Sequence, residues 1–235
     1  MRLDELFKNL GYLAATIGAQ VRDGACQGVR LEELDLTGPP PGKIALLGPA
    51  QVVLSEGDVF RVDVEPGPAG EPVLFSLEDG RLCIGGGDGE TVVRISIPAP
   101  RKLTVAGSGR MTAARLAPDA KLSIAGSGRL EVAAVEGGRL KVSIAGSGLL
   151  AIDGQVDELD LSIAGSGSCD GEGLVAEKAA VHIAGSGDAI FTCNGEVAAH
   201  LMGSGNVIVR GSARCSVHSM GSGTLTCERA GETAD

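Results

Sequence analysis

The three histidines of the 235-residue chain, His182, His200 and His218, fall 18 residues apart. Imidazole is the commonest transition-metal ligand. Each histidine occupies the same register of a recurring stretch, on its polar side. Two neighbouring rings could converge on one ion, although a parallel ladder does not by itself bring nitrogens to the ~2.1 Å that each metal bond needs. The competing expectation is a stacked, exposed ladder continuing Thr104, Ser123, Ser143 and Ser162 of the earlier copies. Met202 and Met220 stand where other copies carry Ala, and they would either add soft donors or widen a corner near the C-terminal end.

Other residues invite chemistry less well. Ser108, Ser127, Ser147, Ser166, Ser186, Ser204 and Ser222 recur, but no base follows them at a consistent register, as a nucleophile would require. Asp153, Asp157, Glu158, Asp160, Asp170 and Glu172 cluster on adjacent copies and could serve a polysaccharide-cleaving pair of carboxylates. Sugar rings also want aromatic platforms, and the chain has four Phe, one Tyr and no Trp. Solvated acidic edges are the expectation. Gly85-Gly86-Gly87-Asp88-Gly89 lacks the Lys-Ser/Thr of a phosphate loop and is read as a flexible turn. No cofactor is expected. Comparing cysteines between copies, Cys169 aligns with Ala189, Cys193 with Gly211 and Cys227 with Val209; no bridge within the repeats is expected, and buried free thiols are.

What must position these residues is a repeat. Gly-Ser-Gly occurs at 107–109, 126–128, 146–148, 165–167, 185–187, 203–205 and 221–223, at intervals of 19, 20, 19, 20, 18 and 18. Ahead of each first Gly, apolar residues such as Leu103 and Val105, or Leu122 and Ile124, flank a polar one, and alternation resumes afterwards with Met111 and Ala113, or Leu130 and Val132. Period-two alternation describes strands with one buried face, so Gly-Ser-Gly is a corner where residues without Cβ let coils approach closely. A unit of strands and corners this short matches one rung of a parallel β-helix. An isolated rung buries too little to offset its ordering entropy, so stability is collective.

Residues 30–230 are expected to form one β-helix domain, with 101–230 holding the seven Gly-Ser-Gly rungs and 30–100 less regular early ones. Gly67 and Gly86 continue at intervals of 19 from Gly48 before the first full copy at Gly107, and hairpin-like turns are expected at Glu56-Gly57-Asp58 and Glu78-Asp79-Gly80. Leu3, Leu6, Phe7, Leu10, Leu13, Ala14, Ile17 and Val21 recur at helical spacing, which predicts a capping helix over 1–25; 231–235 reads as a tail.

Composition excludes several classes. Hydrophobic content of 43% is too high for disorder, and no apolar run is long enough to span a bilayer. A net charge of −10 disfavours nucleic acid and anionic lipid. MRLDELFKNLG lacks the positive opening of a secretory signal, which favours a cytoplasmic location.

The order of blocks GPAQVVLSEGDVFRVDVEP, GRLCIG, TVVRISIPAPRKLTVAGSGR and then xLxLSIAGSGxLxV units resembles the head GIN domain family of auto-transporter adhesins, over roughly residues 30–230. The resemblance implies a bacterial, single-stranded, right-handed β-helix, a cell-surface or protein partner, and no catalytic residues. The expected function is therefore a non-enzymatic structural or adhesin-like β-helix presenting a repetitive surface. A cytoplasmic scaffold that self-associates through its open ends and a polysaccharide-acting enzyme are the alternatives.

Overall fold

The alternating stretches become strands in a computed structural model that describes residues 28–228. In chain order they are β1 (Lys43–Leu47), β2 (Gln51–Glu56), β3 (Arg61–Glu65), β4 (Val73–Glu78), β5 (Arg81–Gly86), β6 (Val92–Ile97), β7 (Lys102–Gly107), β8 (Arg110–Ala113), β9 (Lys121–Gly126), β10 (Arg129–Glu136) and β11 (Arg139–Gly146). Long strands that bend around the coil follow: β12 (Leu149–Gly165), β13 (Ser168–Gly185) and β14 (Asp188–Gly203). The last are β15 (Asn206–Arg210), β16 (Arg214–Gly221) and β17 (Thr224–Glu228).

The chain is a parallel β-solenoid. One sheet stacks β7, β9, β11 and the C-terminal parts of β12, β13 and β14 up to β16, in register from rung to rung. The facing sheet stacks β8, β10, the N-terminal parts of β12, β13 and β14, then β15 and β17. Inward residues are aliphatic and fully buried, among them Leu103, Val105, Leu140, Ile144, Leu161 and Val181. A coil this narrow has little room for aromatic rings, and among the described residues Phe75 and Phe191 are the ones it buries completely.

The two corner glycines serve different purposes. Gly126 has φ 110°, and a Cβ there would stand 2.6 Å from the Gly107 carbonyl oxygen of the rung below. Gly128 leaves space for the core instead: its Cβ would meet Val105 Cγ1 at 2.6 Å. Between them the Ser127 amide donates to the Gly107 carbonyl at 3.0 Å, and Ser147, Ser166 and Ser204 repeat this contact. The serine column is thus held by its backbone.

The early rungs depart from the expected order. β1 lies between β5 and β7, and β2 between β6 and β8, so the first rung in sequence is not the first in the stack. The Gly48 corner accordingly sits between Gly86 and Gly107, while Gly67 is no corner; its amide donates to Thr91 Oγ1. The 19-residue spacing through Gly67 does not follow rung order. β4 and β5 form the expected hairpin, with Asp79 at φ 50° and Gly80 at φ 67°, values suited to the twist of paired strands. The turn at Glu56-Gly57-Asp58 is not a hairpin, because β6 separates β2 from β3. β3 and β4 run antiparallel along the outer edges of β6 and β5, ending the parallel stacking there. The expected helix over 1–25 lies outside the described residues.

The opposite end corrects the cysteine expectation. Cys215 of β16 and Cys227 of β17 form a disulfide with Cα atoms 6.8 Å apart. Comparing cysteines from rung to rung missed this pair because the bond crosses one coil. Cys83 is also disulfide-bonded, whereas Cys169 and Cys193 are buried free thiols. Burial, with help from Asp170, pushes the Cys169 thiol up to about 12, far from thiolate reactivity.

Candidate functional site

The outer face of the β7–β16 sheet carries side chains in straight columns, because its strands stack in register. In the middle column, Thr104, Ser123, Ser143, Ser162, His182, His200 and His218 are partners in sequence. The His182 and His200 rings are 5.2 Å apart and inclined by 8°; His200 and His218 are 5.3 Å apart and inclined by 23°. This is a stack. Two nitrogens sharing an ion through bonds of ~2.1 Å lie at most ~4.2 Å apart, so chelation would require the rings to turn out of it. His182 Nδ1 is buried without a partner. Burial first, and the neighbouring His200 next, lower the basicity of His182, with Asp160 acting in the opposite sense. Ser143 Oγ, two rungs away, is likewise buried and unpartnered.

Met202 and Met220 stack on one another beside the histidines, in the column that Ala184 occupies one rung earlier. Met220 is 60% exposed.

The acidic cluster does not form a cleft of opposed carboxylates. Glu158 pairs with Arg139, Asp160 with Lys141 at 3.1 Å, and Glu172 with Arg210 at 3.2 Å. Asp157 accepts the Gly138 amide at 2.9 Å. The contacts of Glu158, Asp160 and Asp157 tie neighbouring rungs together, and the Glu172–Arg210 pair reaches across an intervening rung. The Gly85–Gly89 segment is ordered rather than a flexible turn: Asp88 accepts the Thr91 amide and hydroxyl at 2.7 and 2.8 Å, the Glu90 amide at 3.1 Å and the Ala69 amide at 3.1 Å. The hydroxyl bond from Thr91 is the main reason its carboxyl is held below the usual range. A general acid needs a shift in the opposite direction.

Two charged columns lie on one side of the histidine column, and neither was recognised from sequence. The nearer one stacks Arg81, Lys43, Lys102, Lys121 and Lys141 on consecutive rungs, then Asp160. Burial, followed by Arg81, Lys121 and Lys43, lowers the pKa of Lys102. Among the described residues only Lys141 of these cations has an ion-pair partner within 4.0 Å. The outer column alternates: Arg139, Glu158, Lys178, Glu196 and Arg214 stack in register, and Asp119 accepts the Arg139 amide at 3.0 Å. This column lines a shallow groove of about 620 Å³. Both columns would have emerged from the Gly-Ser-Gly alignment had it been carried further upstream, since their members stand five and seven residues before each first Gly.

Side-chain columns stacked in register on a parallel coil define a β-solenoid. Residues 40–213 match the family described as "Putative auto-transporter adhesin, head GIN domain", and the chain belongs to it. Solved structures share the fold. A putative adhesin from Bacteroides fragilis is 16% identical, with a TM-score of 0.66 over 80% of this chain and 92% of that one. A putative lipid binding protein from Parabacteroides distasonis is 20% identical, with a TM-score of 0.58 over 81% and 94%. A putative adhesin from the same species is 18% identical, with a TM-score of 0.57 over 82% and 94%. No curated protein matches the chain.

Proposed function

We propose that the protein is a non-enzymatic, adhesin-like binding scaffold whose flat outer sheet engages a partner at a cell surface. The observation that carries this reading is the in-register outer face of β7 to β16, where side chains stack in columns, the cation column and the Ser and His column repeating one chemical type along several rungs. Such a face meets an extended or repetitive partner with many weak contacts at once, which raises avidity without any deep pocket. Family membership and the two adhesin neighbours support it. Asp157, Glu158, Asp160 and Glu172 of the acidic cluster serve inter-rung contacts, which argues against the polysaccharide-cleaving alternative. A disulfide in the last described rung suits an oxidising compartment, and counts against the cytoplasmic location favoured by the N-terminal sequence.

Binding of the full chain to an array of surface proteins and glycans tests the reading. Saturable binding to at least one class, with no product in hydrolase and lyase assays, is expected; no binding to any class, or turnover of a bound glycan, would overturn it.

Self-association has one observation in its favour. Val217, on the inward side of the last described rung, is 47% exposed, since among the described residues no further strand stacks on β16. Sedimentation at rising concentration tests it, and a strictly monomeric species would remove it.

A further inference from the structure

Five cations in one column need a reason. Arg81, Lys43, Lys102, Lys121 and Lys141 stand on consecutive rungs of a chain whose net charge is −10. Like charges directly opposite across paired strands destabilise a sheet. The same molecule manages such a column elsewhere, two positions along the same strands, by alternating the sign. Nearby carboxylates do little to neutralise the five: Glu78 stands opposite Arg81 in the β4–β5 hairpin, and Asp160 pairs with Lys141. Among the described residues Arg81, Lys43, Lys102 and Lys121 make no ion pair.

The spacing of the column restricts what could bind. Stacked rungs place one cation every ~4.8 Å, so five span ~19 Å in a straight line. The floor beside them is flat, with Ser123 and Ser143 buried in the neighbouring column. A flat row has no cradle for an isolated small anion. It fits a linear polymer that carries one negative charge per repeat at a similar rise. DNA places a phosphate every ~3.4 Å along each strand, out of step with the rungs. Single-stranded nucleic acids also rely on aromatic stacking, and no Phe, Tyr or Trp lies in these columns. An anionic membrane is a plane of charge, and the rest of this acidic molecule would be repelled by it.

We infer that the Arg81–Lys43–Lys102–Lys121–Lys141 column is a track for an acidic polysaccharide bearing one carboxylate per sugar ring. The inference rests on the adhesin-like reading and names its ligand class. The polymer lies along the solenoid axis, across the strands, with successive carboxylates meeting successive cations. Each contact is solvent-accessible and weak, and affinity comes from their number and from the release of counterions, so binding falls steeply as salt rises.

Titration of the full chain with polygalacturonate tests this, with neutral dextran, oligo-dT and phosphatidylserine vesicles measured alongside. Polygalacturonate is expected to bind at low salt and to lose at least about tenfold in affinity at high salt, while dextran does not bind and the other two polyanions bind more weakly. The double substitution Lys102→Gln/Lys121→Gln should weaken binding by about tenfold, and Lys178→Gln, in the alternating column, should leave it unchanged. Circular dichroism and thermal midpoint of each variant establish that it is folded. Absence of binding, equal loss in Lys178→Gln, or equal binding of oligo-dT or vesicles would overturn the inference. If the surface array registers a partner that Lys102→Gln/Lys121→Gln still binds, the track fails while the adhesin-like reading stands; if the array is empty for every class, the reading itself fails.

Discussion

The two charged columns lie side by side on one sheet, share its rung spacing, and solve the same electrostatic problem in opposite ways. Along Asp119, Arg139, Glu158, Lys178, Glu196 and Arg214 the sign alternates, so each rung finds an opposite charge above and below. A slip of one rung in the pairing would place like charges together. This column therefore reinforces register, in addition to the pattern of inward residues. Along Arg81, Lys43, Lys102, Lys121 and Lys141 the sign is constant, and stacking these rungs costs repulsion that the aliphatic core must offset. A side-chain arrangement that weakens the fold yet is repeated over five rungs is best explained by what it binds.

The largest break in this comparison comes from the corner, on which both columns depend. Gly146 has φ 110°, and a Cβ would stand 2.6 Å from the Gly126 carbonyl oxygen. Gly146→Val should lower unfolding free energy by about 3 kcal/mol or more, read from urea denaturation. Close to this in size is the disulfide across the last described rung. Cys215 and Cys227 are 12 residues apart, and the double change to Ser should cost about 2 to 3 kcal/mol. Hydrogen exchange should show the loss concentrated in β16 and β17, so that the alternating column frays from Arg214 while the cation column keeps its protection.

Reversing a single charge separates the columns more directly. Glu158→Lys puts a cation between Arg139 and Lys178, making three in succession, and removes an exposed ion pair, for a loss of about 1 kcal/mol at low salt that shrinks as salt is added. The smallest effect concerns the histidine column beside them. His182 is less basic in the folded chain than its ordinary 6.5. Between the two values the unfolded chain holds more protons, so stability falls as pH drops below 6.5. His182→Ser, which continues the Ser162 column, should flatten that part of the pH profile in urea midpoints; an unchanged slope would show that His182 is not its source.

The solenoid was legible because its signals are local. Gly-Ser-Gly spacing and period-two alternation, as at Leu103-Thr104-Val105, need only short windows. What stayed hidden depended on contacts that spacing alone does not encode. Gly48, Gly67 and Gly86 fall at equal intervals ahead of Gly107, yet the chain lays β5 and β6 outside β1 and β2, so equal spacing misordered the stack. Cys215 and Cys227 meet across a coil, a distance set by its width rather than by the repeat. The histidine ladder was visible as an 18-residue period, but ring inclination and the unpartnered Nδ1 of His182 follow from packing. The cation column lay within the same alignment and was missed because its first members, Arg81 and Lys43, belong to rungs without Gly-Ser-Gly and stack in reversed order.

The most direct test measures the urea midpoint of Lys121→Gln beside the native chain, with and without polygalacturonate. If the cation column exists for a ligand, the variant alone should be as stable as the native protein or more so by a few tenths of a kcal/mol, and the polymer should raise the native midpoint more than that of the variant. A variant that is less stable on its own, and is stabilised by the polymer as much as the native chain, would show that the column serves the fold and would contradict the ligand track.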